Sequence, residues 1–166
     1  NVMNDALSDN LTIDYHQELL LSSDKLKVGG HLDFMLVEDG KGYVYDWKTA
    51  KAFKYRSMKK GTSSALNYEM QVATYGLLAV ENGLCDSIAH LALVYYNKDT
   101  SEMFEHPVPL SAMKQAEAYW KEVMVHSNNL TEEPPEMVNK VPVYNWECGK
   151  YCNYSEICTA AANLAK

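Results

Sequence analysis

Apolar and polar positions alternate along the first part of the chain. Residues 11–22 (LTIDYHQELLLS) are rich in strand formers and end on Ser22-Ser23-Asp24, a turn signal, which predicts a first strand. Residues 25–38 predict a second strand, in which Gly29-Gly30 marks a bulge or a close backbone approach. Asp39-Gly40 is a hairpin turn signal, and residues 42–48 follow as a third strand. Side chains of a strand take opposite faces in turn. Val44, Asp46 and Lys48 therefore share one face, and Tyr43, Tyr45 and Trp47 the other. The aromatic face is expected to pack on helices and to leave the charged pair pointing into a cleft.

The pattern then changes. Residues 49–67 show no clear period, and Gly61-Thr62-Ser63-Ser64 reads as a flexible break. Residues 65–82 follow helical spacing through Met70, Ala73, Tyr75, Leu77, Leu78 and Glu81, with Gly83 placed to cap the C-terminus. Residues 87–97 predict a buried strand, Lys98-Asp99-Thr100 a turn, and residues 102–108 an antiparallel partner. Ser111 opens a long amphipathic helix to about Ser127. An extended connection with Pro134, Pro135 and Pro142 leads to a cysteine cluster and a short last helix. Three antiparallel strands, a helix, two strands and a helix predict an α/β (α+β layered) domain, a mixed sheet flanked by helices. The expected division is a core over 1–128 and a connection with a cysteine tail over 129–166 that packs on it.

At 166 residues the chain can bury a full core. It has no apolar run near the roughly 18 residues of a membrane span and no visible signal peptide, so no membrane partner and a cytoplasmic location are expected. Because the first residue is Asn1, a preceding segment is expected to be missing. The net charge of −7 argues at first against a nucleic-acid partner. Its distribution argues the other way: Lys48, Lys51, Lys54, Arg56, Lys59 and Lys60 follow one another with no acid between them. A solvated surface loop and a phosphate-contacting segment both fit this run; its place directly after Lys48 favours the second.

Asp33 and Asp46 lie on the second and third strands with the turn between them, a separation that suits cross-strand neighbours in a splayed hairpin. Two carboxylates so close repel unless a cation lies between them. Oxygen ligands on a rigid sheet, with positions left for water and phosphate, suit Mg²⁺ or Mn²⁺. Lys48 shares the face of Asp46, where an ammonium can orient an attacking water or stabilise charge on a phosphoryl group. A lone Asp-x-Lys on a strand is ordinarily a surface ion pair, so the weight of this one comes from its company.

That company, Gly30-x-x-Asp33, Asp46-Trp47-Lys48 and Gln71-x-x-x-Tyr75, resembles the PD-(D/E)XK nucleases in their RecB-type branch. The resemblance implies a restriction-endonuclease-like mixed β-sheet flanked by helices. It also implies Asp33, Asp46 and the Trp47 backbone carbonyl as metal ligands, Lys48 as the catalytic lysine, and Gln71 and Tyr75 as residues that contact DNA or position the site. Glu18 resembles an acid found upstream of the glycine motif in this branch. Relatives also carry a metal-binding histidine on an upstream helix; His31, which shares the parity of Asp33, and His16 are the nearest candidates here.

Cys148, Cys152 and Cys158 resemble the C-terminal cluster of the iron–sulfur members of the branch, the CRISPR-adaptation and AddB-type nucleases. The last spacing matches theirs, and the first is one residue longer. Three such thiolates can hold a [4Fe–4S] cluster or zinc, each with a fourth ligand, which the resemblance places upstream of this chain. Cys85 reads as an ordinary buried or loop cysteine.

The expected activity is a Mg²⁺- or Mn²⁺-dependent deoxyribonuclease, an exonuclease on single strands or duplex ends. The resemblance implies recombination, repair, replication or phage DNA processing, a helicase or recombination partner, and bacterial cytoplasm or the host cytoplasm of a phage. The alternative is a non-catalytic nucleic-acid-binding module that keeps the fold; inactive relatives lose an acid or the lysine, and all three are present here.

Overall fold

The computed structural model describes residues 13–61 and 65–128. Cys148, Cys152, Cys158 and the expected tail over 129–166 lie outside the described residues. Strands β1 (Ile13–Ser23), β2 (Val28–Glu38), β3 (Lys41–Ala50), β4 (Ser87–Asn97) and β5 (Met103–Val108) form one sheet in that spatial order. Neighbours run antiparallel except β3 and β4, which are parallel. Parallel neighbours need a crossover. Helices α1 (Ala52–Lys59) and α2 (Leu66–Glu81) supply it, and α3 (Ser111–Asn128) follows β5. The described residues up to Met124 belong to one compact unit.

The β2–β3 hairpin closes on Asp39 and Gly40, both at positive φ (47° and 73°), with Glu38 opposite Lys41. Two such residues match the right-handed twist of the strands they join, which is why Asp-Gly was legible as a tight turn. At the end of α2, the Gly83 and Leu84 amides donate to the carbonyls of Val80 (3.1 Å) and Ala79 (3.0 Å), closing the helix as its glycine foretold. Asn82 Nδ2 also donates to the Ser22 carbonyl, fastening this helix end to the last residues of β1.

One stretch differs from expectation. The basic segment, read as aperiodic, folds as α1. Its apolar contribution is only Tyr55 and Met58, three residues apart and both buried, too little to register as a period among lysines. Lys51 gives this helix no side-chain cap. The cap comes from far along the chain, where Asp99 Oδ2 accepts the Ala52 amide proton at 2.8 Å.

A second expectation is reversed. The helix layer covers the face of Val44 and Asp46, not the face of Tyr43, Tyr45 and Trp47. Val44 and Asp46 are buried, whereas Tyr43 and Tyr45 are half-buried and Trp47 is exposed. The core explains it: Leu32, Met35, Val44, Leu91 and Leu93 of the sheet meet Val72, Ala73, Leu78 and Ala79 of α2. On the outer face Tyr45 packs between Phe34 and His90, which gives the aromatics a partial cover without helices. The charged pair is therefore roofed by α2.

Candidate active site

Pairing between β2 and β3 runs from the turn to Phe34 opposite Tyr45 and stops there. The next pair would set Asp33 against Asp46. Instead Asp33 Oδ2 accepts the Trp47 backbone N–H at 2.8 Å, so a side chain replaces the ladder and the strands part at the two carboxylates. On the other side of β2, Glu18 has φ +49°, and the pairs Gln17–Phe34 and Leu19–Leu32 flank it. Buried positions change parity across this point: Leu32 is buried before it, Met35 and Val37 after it. That switch breaks the parity argument for His31. His31 is exposed beside Leu20 on β1. Glu18 is exposed as well.

Asp46 is 1% exposed. Its Oδ2 pairs with Lys48 Nζ and has no further donor among the described residues. Burial pushes its carboxyl above the ordinary range; the Lys48 hydrogen bond and charge pull it back, and the Asp33 charge raises it again, leaving a net rise. Lys48 Nζ also donates to Gln71 Oε1 at 2.9 Å, and Gln71 Nε2 donates to the Tyr75 hydroxyl at 2.9 Å. Gln71 and Tyr75 are one helical turn apart, which aims both at the strand below. The Lys48 ammonium further lies 4.9 Å from the centre of the Tyr68 ring. Burial raises the Tyr75 hydroxyl too, with the Asp46 and Asp33 charges adding to it against the Gln71 hydrogen bond, so it stays neutral.

Both members of the glycine pair lie at close approaches: a Cβ on Gly29 would stand 3.2 Å from the Leu21 backbone carbonyl oxygen, and Gly30 is approached by a ring. A Cβ on Gly30 would lie 2.8 Å from Tyr75 Cε1. Gly30 is thus the floor under Tyr75, and the two outer pieces of the sequence pattern touch each other.

A buried carboxylate with one oxygen short of donors, facing a second carboxylate, fits a divalent cation. Among the described residues no cluster of three or more Asp, Glu, His or Cys side chains is placed to hold a metal ion. Asp33 and Asp46 are the side-chain donors, and this small number suits an ion that keeps several waters. Lys51, Lys54, Arg56, Lys59 and Lys60 are exposed on or beside α1, outside the hydrogen-bonded chain. Cys85 is buried, and burial raises its thiol, as an ordinary core cysteine requires.

Sequence reasoning passed over two residues here. Tyr68 lies three residues before Gln71, and helical spacing alone would have placed it on the same face. Tyr95 pairs in register with Lys48 across the parallel β3–β4 ladder, a neighbour that no local signal reveals. A groove of about 790 Å³ adjoins the site; Gln71 and Tyr75 line it together with Met70, Gln115, Tyr119 and Trp120.

A mixed sheet that parts at two carboxylates, with a lysine two residues after the second and a glutamine–tyrosine helix above, defines a carboxylate–lysine centre of the kind that works on phosphate esters. The chain belongs to the PD-(D/E)XK nuclease superfamily, whose sequence profile matches residues 5–159. Its fold is the restriction-endonuclease-like mixed sheet flanked by helices. Nucleases of this superfamily generally use divalent metals. Among solved structures, the chain is similar to SSO0001 (20% identity, TM-score 0.49, covering 96% of this chain and 65% of that one). It is also similar to a protein of Eubacterium rectale provisionally named an exonuclease (10% identity, TM-score 0.47, covering 87% of this chain and 57% of that one). The chain therefore spans less than two thirds of either structure's length. No curated protein matches it significantly.

Proposed function

We propose that this protein is a Mg²⁺- or Mn²⁺-dependent deoxyribonuclease that degrades DNA from ends, with single strands its preferred substrate. The observation that carries this reading is the Asp46 carboxylate: buried beside Asp33, with one oxygen served by Lys48 and no further donor. Isolating two carboxylates in this way is costly unless a cation joins them. Asp33, Asp46 and the Trp47 carbonyl would hold that ion, which when bound neutralises charge on the phosphoryl group and makes a water more acidic.

The protein's own groups do the rest. Lys48 is held by Asp46 on one side and Gln71 on the other, so its ammonium is preorganised toward the reacting phosphate. Gln71 and Tyr75 fix the lysine and present polar edges to the substrate backbone. Exposed Lys54, Arg56 and Lys59 on α1 offer a phosphate track of the sort that draws in a polyanion despite the overall negative charge. The groove favours single strands: its Met70, Tyr119, Trp120, Gln71 and Gln115 lining suits unstacked bases, which pair poorly with a purely basic wall.

End-labelled linear and circular DNA, single- and double-stranded, tests the reading. Linear single strands should be degraded in Mg²⁺ or Mn²⁺ and spared in EDTA, with circles resistant. Degradation undiminished by EDTA, or none of any DNA in either metal, would sink it. We further propose a [4Fe–4S] cluster on Cys148, Cys152 and Cys158 with a ligand from outside this chain. Iron and acid-labile sulfide in anaerobically purified protein would support it, and zinc or no metal would not. A helicase or recombination partner remains the expected context for such an enzyme.

A further inference from the structure

Among the described residues, the buried hydroxyls of Tyr95 and Tyr55 have no hydrogen-bond partner, and the buried Asp46 Oδ2 has the Lys48 ammonium beside it but no further donor. Tyr95 is a donor beside the centre, and Asp46 Oδ2 is an acceptor within it that can take a second bond. Lys48 stands next to Tyr95 across the β3–β4 ladder, and Asp46 next to Leu93. Tyr95 and Leu93, two residues apart, share a face of β4, the face on which Leu93 joins the core beneath α2. Tyr95 is 1% exposed. Its ring is clamped, stacked on Phe104 at 5.0 Å and 13°, with Phe104 edge-on to Tyr55 at 5.1 Å. A ring so held cannot turn its hydroxyl out to solvent.

We propose that Tyr95 is a further positioning residue of this centre, its hydroxyl donating to a water shared with Asp46 Oδ2 beside Lys48. One buried water would give the Tyr95 hydroxyl an acceptor and Asp46 Oδ2 a second donor, which is the usual reason such a water is retained. Because it tethers the carboxylate and borders the lysine, it holds both in the geometry the reaction needs. Burial, with the Tyr68, Glu69 and Asp46 charges adding to it, pushes the Tyr95 hydroxyl up to about 12, so it keeps its proton and acts as a donor at neutral pH. This role rests on the nuclease reading above.

Tyr55 supplies the control. It lies in the same aromatic cluster and has the same kind of buried, unpartnered hydroxyl, but on α1 and on the far side of Phe104. Tyr95→Phe and Tyr55→Phe both delete a hydroxyl and keep the ring. The expected result for Tyr95→Phe is a kcat lower by roughly 10- to 100-fold, the usual effect of losing an outer hydrogen bond to a metal ligand, with KM for DNA unchanged. Its melting temperature should stay level or rise by a few degrees. Tyr55→Phe should behave alike in melting and keep the parent kcat. A Tyr95→Phe enzyme with the parent kcat overturns the role while leaving the nuclease reading intact. So does a fall in kcat of the same size in Tyr55→Phe, which would trace the effect to the aromatic cluster. A parent protein inactive on every DNA overturns the nuclease reading and this role with it.

Discussion

Asp46→Asn should abolish DNA hydrolysis, with a loss of about 10³-fold or more, and at the same time raise the melting temperature at neutral pH. The two effects have one origin. The Asp46 carboxyl is pushed up, first by burial, even with Lys48 pulling it down. A raised carboxylate binds its proton more tightly folded than unfolded, so folding is favoured below the ordinary carboxylate range and loses that advantage as pH rises through the folded value. At pH 7 the group is ionised and costs stability, and a neutral amide of the same shape removes that cost. The gain in melting temperature should shrink as the pH is lowered and the parent carboxyl takes up its proton. Divalent cations should raise the melting temperature of the parent and not of the variant. Lys48→Ala should cost about 10²–10³-fold in kcat, the scale of removing one preorganised donor. A melting temperature lowered by Asp46→Asn at pH 7, or activity kept by either variant, would contradict this account.

Gly30→Ala is the second large effect expected. A methyl group 2.8 Å from Tyr75 Cε1 requires something to move, and Tyr75 has little freedom: its ring is 7% exposed and its hydroxyl is bonded to Gln71. Displacing the ring releases Gln71, and Gln71 is what holds Lys48 from the side opposite Asp46. Overpacking at a site of this kind costs about 1–3 kcal/mol. The activity loss should exceed what that destabilisation explains, by tenfold or more at temperatures where the variant is fully folded. Gly30→Ala combined with Tyr75→Phe should not be much worse than Gly30→Ala alone, since both act on one chain of contacts. Additive losses would show that Gly30 acts by some other route.

The local parts of this molecule were readable before its structure. Asp39-Gly40 announced its turn because two positive-φ residues are required there, and Gly83 announced its cap for a related reason. The strands 87–97 and 102–108 were found almost to the residue because each is continuous and bounded by turn chemistry. Asp33, Asp46, Lys48, Gln71 and Tyr75 stand out as a pattern in sequence; the structure adds the hydrogen bonds that join the last three. What escaped was set by partners distant in the chain. α1 is capped by Asp99, forty-seven residues after Ala52, and its two buried residues make no visible period. The covered face of β3 was misassigned because three aromatics looked more like core than Val44, Asp46 and Lys48 did; the burial of a charged pair under α2 follows from where the helix returns. His31 lost its place through the break opposite Glu18, since parity holds only while a strand stays regular.

The parallel join between β3 and β4 has a consequence for how the enzyme comes into being. The carboxylates and the lysine arrive together on one hairpin, a unit that forms from neighbours in sequence. Gln71 and Tyr75 reach them from the second crossover helix, and Tyr95 only once β4 is laid alongside β3, and long-range parallel pairing is slow to form. A nascent or half-folded chain thus carries its acids in an open, solvated hairpin with a lysine that nothing aims. The candidate centre is complete only once the long-range contacts are made, so any activity it carries is tied to the completion of the fold.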